Sequence, residues 1–206
     1  MQRCFLVGAA PEAAPIAPQP GDFVIAADGG YAHLLRQGVV PDLIVGDMDS
    51  VAQPLPGDIP RVTAPAEKDD TDLVLAFWEG HRRGFRHFVL TGAGGGRIDH
   101  HVASLQLLVK AARLGARAVM QDEAFSATVL AGPGELRLGG RGTVSVFAYG
   151  EQAAGVTIEG MKYNIACETL LGDTPRGVSN ELDGDGRIAL QEGVLLIFWE
   201  TGIVTI

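Results

Sequence analysis

The sequence predicts an α/β N-terminal domain, with a mostly parallel sheet flanked by helices, followed by an all-β sandwich. Two observations carry the prediction. In the first half, short continuous apolar runs alternate with segments whose apolar residues recur every three or four positions. That is the pattern of βαβ units whose strands are covered on both faces. After about Ala124 the helical period stops, and β-rich runs punctuated by glycine take over, the spacing of an antiparallel sandwich or barrel. The domains are therefore expected at 1–125 and 126–206, with the boundary between Gln121 and Gly134.

Taken in order, the strands of the first half are predicted at Cys4–Val7, Phe23–Ala27, Leu43–Val45, Arg61–Thr63, His87–Thr91 and Arg117–Gln121. Each is a short apolar stretch that ends in glycine or polar residues. Helices are predicted at Gly30–Gln37, Thr71–Arg83 and Ile98–Leu114. In the last of these, Val102, Leu105, Leu108, Val109 and Ala112 keep a 3.6-residue period. The Pro/Ala-rich "PEAAPIAPQP" (Pro11–Pro20) reads as a loop. The second half offers the runs "ATVLAG", "GELRLGG", "GTVSVFAYG", "AGVTIEG", "RIALQEG", "VLLIFWETG" and "IVTI" as strands.

Composition narrows the function classes. Of 206 residues, 47% are hydrophobic and 20% charged, an ordinary globular mix. The net charge of −9 argues against a nucleic-acid partner, which needs a basic face. An acidic chain still binds nucleotides where a metal ion or a glycine-rich loop supplies the positive field. The 28 glycines suit loops that let backbone approach a ligand. Cys4 and Cys167 are far apart in sequence and lack the clustered partners of a zinc site. They read as two buried small hydrophobes in a reducing compartment. The start "MQRCFLVGAA" is short and weakly basic for a signal peptide, and no apolar run reaches the roughly 20 residues of a membrane helix. A cytoplasmic location without membrane association is expected.

Ligands of parallel α/β sheets bind at the carboxyl ends of the strands. Four polar clusters fall there: "ADGG" (Ala27–Gly30), "GDMDS" (Gly46–Ser50), "KDDTD" (Lys68–Asp72) and "TGAGGGRIDH" (Thr91–His100). Asp47 and Asp49 lie two apart, so in extended chain they point the same way, roughly 6.5–7 Å apart. Such a pair grips a hard cation such as Mg²⁺, although an Asx-turn explains the motif in isolation. In "KDDTD", Asp70 or Thr71 is a candidate N-cap, and the helix dipole favours Asp72 in the first turn. Capping leaves at least one carboxylate and Lys68 unexplained. "GAGGG" (Gly92–Gly96) joins a strand to a helix, where backbone N–H groups and a helix N-terminus favour an anion such as phosphate. It matches neither G-x-x-x-x-G-K-[ST] nor G-x-G-x-x-G. Arg97 suits bidentate phosphate pairing, and Asp99 adds an acid nearby. His100 and His101 are consistent with helix-start residues without a role.

These motifs, with "GMKYNI" (Gly160–Ile165) and "GVSNE" (Gly177–Glu181) further on, resemble the ordered motif series of the thiamine pyrophosphokinase family, from about Phe23 to Glu181. The resemblance implies an α/β domain that binds ATP and Mg²⁺, a thiamine-binding β-sandwich, and a homodimer with the active site at the subunit interface. It implies transfer of a pyrophosphoryl group from ATP to thiamine, giving thiamine diphosphate and AMP. By resemblance, Asp47, Asp49 and Asp72 form the Mg²⁺–phosphate group, with Asp28 a further member. Gly94, Gly95, Gly96, Arg97 and Lys68 face the nucleotide, and Asp99 lies near the transferring group. Tyr163 stacks on thiamine, with Ser179 and Asn180 in polar contact. Trp is usual at the Tyr163 position in eukaryotic members, and Met161 and Asn164 also depart from the common pattern. Asp99 and Asp72 are the candidate general bases, while Trp78 and Trp199 read as packing residues. Two other readings stay open: a pyrophosphokinase for another hydroxymethyl heterocycle such as a pterin, and a nucleotide- or metal-binding module without turnover.

Overall fold

The computed structural model describes residues 2–46, 58–63 and 70–206. The chain divides into two compact units, Met1–Glu123 and Ala124–Ile206.

In the first unit the elements run β1 (Cys4–Val7), β2 (Phe23–Ala27), α1 (Gly30–Gln37), β3 (Leu43–Gly46), β4 (Arg61–Thr63), α2 (Asp72–Arg82), β5 (His87–Thr91), α3 (Ile98–Arg113) and β6 (Arg117–Gln121). The strand order is β6-β5-β1-β2-β3-β4, and every described pairing is parallel. All four β1 residues are buried, as central strands must be when helices cover both faces. Alternation along β1 sends successive side chains to opposite faces. Phe5 and Val7 join Val24, Ala26, Ile44 and the α1 residues Tyr31 and Leu34 in one cluster. Cys4 faces α2, where Gly80 sits so close that a Cβ there would lie 2.7 Å from Cys4 Sγ and 2.8 Å from the Phe88 ring. Phe77 of α2 packs against Phe88 with the rings tilted and their centroids 4.7 Å apart. Burying a side chain such as Phe77, fully covered here, stabilises by about 1.5–3 kcal/mol. Burial pushes the Cys4 thiol up to about 12, so it stays protonated; Cys167, expected to be buried like Cys4, is instead exposed, in a left-handed conformation with φ 54°.

The helices end as their residues require. Thr71 caps α2, its Oγ1 accepting from the Val74 N–H at 3.4 Å. Gly38 closes α1 in the left-handed conformation, φ 68°. The first turn of α3 has no side-chain cap hydrogen bond from its N-cap residue, Arg97. The chain steps outward from β1 to β4, returns through α2 to β5 beside β1, and ends at β6. The order reverses between β1 and β5, which makes their carboxyl ends the switch point where ligands bind.

In the second unit, β7 (Phe125–Ala131), β8 (Gly134–Ala148), β9 (Gln152–Met161), β10 (Ile165–Leu171), β11 (Gly177–Leu190), β12 (Val194–Glu200) and β13 (Val204–Thr205) pair in the order β10-β9-β11-β8-β12-β7, with β13 on β8. Every described pairing is antiparallel. Runs that read as separate strands fuse here. "GELRLGG" and most of "GTVSVFAYG" form the single strand β8, and β11 begins with the "GVSNE" motif and runs on through "RIAL". Glycine marks turns in most sequences, but Gly139, Gly140 and Gly142 lie within one ladder, where their φ values or contacts bend the strand instead. No helix among the described residues is long and apolar enough to cross a membrane.

Candidate active site

A cleft of about 790 Å³ opens over the β1/β5 switch point. Its walls come from the Gly8–Pro11 loop after β1, Ala27 and Asp28 at the end of β2, Asp70–Leu73 at the start of α2, Gly92, Ala93 and Gly95–Arg97 after β5, and His100 and Ser104 of α3. Of the residues named from the sequence, Asp28, Asp72, Gly95, Gly96 and Arg97 line this cleft. Asp47, Asp49 and Lys68 lie outside the described residues.

The two loops at the switch point approach each other by main chain. A Cβ on Gly8 would sit 2.4 Å from the Gly92 carbonyl oxygen, and a Cβ on Gly92 equally close to that of Gly8. The Gly8 N–H donates to the Thr91 carbonyl at 2.8 Å, and the Ala10 N–H to the Gly92 carbonyl at 3.0 Å. Further along, Gly96 rests on Pro11. Side chains pin the same segment from α1. His33, 7% exposed, donates from Nε2 to the Ala10 carbonyl at 2.7 Å and accepts at Nδ1 from Arg36 at 2.6 Å, which fixes its tautomer. Gln37 accepts from the Ile16 N–H at 3.0 Å. The Gly8–Pro11 wall and its His33 pin were not legible as site residues. Their one sequence signal is the glycine that ends the first apolar run.

Asp28 adopts a left-handed conformation, φ 48°, and its Oδ1 is buried without a hydrogen-bond partner among the described residues. Gly46 lies against it, since a Cβ there would fall 3.2 Å from the Asp28 Cα and Cβ. An anionic oxygen held dry and unpaired is costly unless a cation or a donor completes it. Asp70 and Asp72 add carboxylates to the same cleft, and Lys110 approaches Asp70 at 3.9 Å. These hard oxygen donors fit a Mg²⁺-type ion. Among the described residues alone, no group of three or more His, Cys, Asp or Glu side chains is gathered to hold a metal.

The glycine loop divides its labour. Gly95 and Gly96 line the cleft in left-handed conformations, φ 75° and 63°. The Gly95 N–H is engaged by His101 Nδ1 at 3.3 Å, so His101 supports the loop. Gly94 is not part of the cleft lining; it is buried against Asp122, whose Oδ2 would lie 2.0 Å from a Cβ at that position. Burial holds the Asp122 carboxyl above its ordinary range, opposed by His101 and reinforced by Glu12. Asp99 also stands off the lining. It pairs with Arg97 at 2.6 and 3.2 Å, and Arg97, helped by the His100 amide, brings its carboxyl down to about 2.

The second unit holds a pocket of about 440 Å³ lined by Lys162–Ile165, Ile158, Leu170, Arg176–Val178 and Asn180. Tyr163, 59% exposed, stands at its edge, with Lys162 Nζ 5.5 Å from the ring centroid and 2.6 Å from Glu181. Arg176 is likewise paired, to Glu168. Ser179 is not in the lining. It takes φ 57°, and its N–H donates to Ser145 Oγ at 3.1 Å.

This architecture is that of a two-part α/β protein, with a cleft lined by carboxylates and glycines in the parallel unit and an aromatic-edged pocket in the antiparallel one. Comparison with known proteins gives the family. The family model described as thiamin pyrophosphokinase, catalytic domain, matches residues 19–120, and that described as thiamin pyrophosphokinase, vitamin B1 binding domain, matches 135–195. The thiamine pyrophosphokinase of Bacillus subtilis is 29% identical over 188 residues, 86% of each chain. A crystal structure of thiamin pyrophosphokinase from Geobacillus thermodenitrificans matches with TM-score 0.82 at 26% identity, covering 98% of both chains. That from Bacillus subtilis matches in fold with TM-score 0.86 at 22% identity, covering 97% of this chain and 99% of that one. The chain belongs to the thiamine pyrophosphokinase family, whose members are enzymes.

Proposed function

We infer that this chain transfers the pyrophosphoryl group of ATP to the hydroxyl of thiamine, releasing AMP. The observation that carries the chemistry is the meeting of Asp28, Asp70, Asp72 and the Gly92–Arg97 loop around one cleft. The hydroxyl oxygen bonds to the β-phosphorus, the bond from that phosphorus to the α–β bridging oxygen breaks, and the hydroxyl proton is released. Such transfers are governed by positioning and by neutralisation of phosphate charge. The Gly96 amide and the first turn of α3 suit phosphate oxygens, since the N-cap residue makes no side-chain cap there. Arg97 holds phosphate bidentately on exchanging Asp99 for it. Asp99 orients Arg97 meanwhile, and its low proton affinity makes it a poor base.

Mg²⁺ is the proposed metal, held by Asp72 and Asp28 together with Asp47 and Asp49, and Lys68 is proposed to face the nucleotide. When bound, the ion neutralises phosphate charge. The pocket at Tyr163 is proposed to take the thiamine ring, the aromatic face suiting a cationic thiazolium, with Ser179 at its margin. The second unit is read as a sandwich because β9 and β12, three strand spacings apart along the ladder, come within 8 Å. A flat sheet would hold them about 14 Å apart. We also propose a cytoplasmic homodimer with the active site at the subunit interface. Ile98 and Val102, one helical turn apart on α3 and 77% and 49% exposed, give a partner an apolar contact beside the cleft.

The test is incubation with ATP, Mg²⁺ and thiamine, with chromatography for AMP and thiamine diphosphate. Formation of both supports the reading. AMP released only with a pterin alcohol, or ATP bound without any product, refutes it.

A further inference from the structure

Asn180 is 4% exposed, and its side-chain amide is spent on the main chain. Oδ1 accepts from the N–H groups of Tyr163 and Glu181, both at 2.9 Å. Nδ2 donates to the Tyr163 carbonyl at 2.7 Å. One side chain therefore closes both backbone groups of Tyr163, which sits in the β9–β10 turn with no ladder to satisfy them. The neighbouring sequence is shaped to deliver it. The register of β11 on β8 shifts between Gly177 and Asn180, and Ser179 in its left-handed conformation turns the chain so that Asn180 is buried while its neighbours are exposed. Gly177 permits this, because a Cβ there would lie 2.1 Å from the Val146 carbonyl oxygen. Asn164 Oδ1 accepts from the Met161 N–H at 3.2 Å and closes the turn from its other side.

We infer that Asn180 is a positioning residue: it sets the pocket of the second unit by clamping the backbone of Tyr163. It acts on the ligand through that turn, with little polar capacity left for the ligand itself. Asn alone among side chains of this length offers an acceptor and a donor together. Asp keeps the acceptor and loses the donor to the Tyr163 carbonyl. The inference rests on the thiamine reading for its kinetic consequence only.

The experiment compares the full-length wild type with Asn180→Ala, Asn180→Asp and Tyr163→Ala in steady-state kinetics and in amide hydrogen exchange of the 158–182 region. In Asn180→Ala the Tyr163 and Glu181 amides exchange about tenfold faster or more, while β8 and β12 keep their protection. KM for thiamine rises about tenfold, with kcat and KM for ATP within about twofold of wild type. Tyr163→Ala raises the same KM but leaves the Glu181 amide protected. If Asn180→Ala does not fold, Asn180→Asp serves the kinetic arm, with the same selective rise in KM for thiamine. Unchanged exchange at Tyr163, or a parallel loss in kcat and in KM for ATP, overturns the assignment. A wild type that forms no AMP from ATP and thiamine defeats the functional reading alone, and the exchange arm then decides the role of Asn180.

Discussion

Replacing Gly30 by alanine tests the link between the parallel sheet and the cleft. Gly30 opens α1 directly over the end of β1. A Cβ there would lie 1.9 Å from the Val7 carbonyl oxygen, 2.6 Å from its carbon and 3.0 Å from the Gly8 oxygen. A carbon–oxygen contact needs roughly 3.3 Å, so α1 must retreat by roughly 1.4 Å, against the close packing of the interior. Retreat loosens Tyr31 and Leu34, 5% and 0% exposed, and pulls His33 from the Ala10 carbonyl. Overpacking of this kind costs about 1–3 kcal/mol, and the weakened contacts bring the expected loss to about 2–4 kcal/mol. For a chain of this length each kcal/mol is worth about 2–4 °C, which gives a fall of about 10 °C in the melting transition of the first unit. Calorimetry measures it, with KM for ATP as the companion assay, because Gly8–Pro11 moves with α1. Gly38→Ala is the control. Gly38 has φ 68° and nothing within 4 Å, so it loses about 1–2 kcal/mol to conformation alone and keeps its KM for ATP. A Gly30→Ala protein that melts within about 2 °C of wild type, or binds ATP normally, refutes the packing argument.

Three further outcomes follow from the cleft. Asp72→Asn and Asp28→Asn each lower AMP formation by about 10²-fold or more, while Asp28→Asn leaves the melting temperature unchanged or raised, since it removes a charge from a buried oxygen without a described partner; full activity in either variant contradicts the site. The Asp99 carboxyl titrates at about 2 by NMR and returns near 4 in Arg97→Ala; this depressed group's contribution is present above the ordinary carboxylate range and is lost as pH falls through about 2. Asp122, raised by burial, behaves oppositely: the folded chain holds the proton more tightly, so stability declines as pH rises through its shifted value. Asp122→Asn is therefore more stable than wild type at pH 8 and no more stable at pH 3, measured by thermal melts, and an equal difference at both pH values contradicts the assignment.

The parallel unit was largely legible because burial on both faces writes itself as continuous apolar runs. β1, β2, β4, β5 and β6 match their predicted limits, and β3 extends one residue further, to Gly46. Helices α2 and α3 lie within a residue of theirs at each end. The antiparallel unit was less legible. Its glycines fall inside β8 and β11, and β10, "IACETLL", carries alternation too weak to stand out from its surroundings. Among the residues lining the cleft, Asp28, Asp72, Gly95 and Gly96 could be picked out because their types announce charge and close approach, whereas Gly94 and Asp99, picked out on the same grounds, stand off the lining. His33 and His101 could not, since each acts by gripping a loop brought to it only by folding. Asn180 was legible as polar but not as buried, because a one-residue shift in β11 decides which way it points.

The contact of Gly8 with Gly92 has an evolutionary corollary. Where these two loops meet, the cleft is walled by main chain, and a side chain on either glycine would drive into the other's carbonyl oxygen, 2.4 Å from the new Cβ. Variation in what the cleft accepts is therefore expected at wall positions such as Ala10, Ala27 and His100, and not at these two glycines.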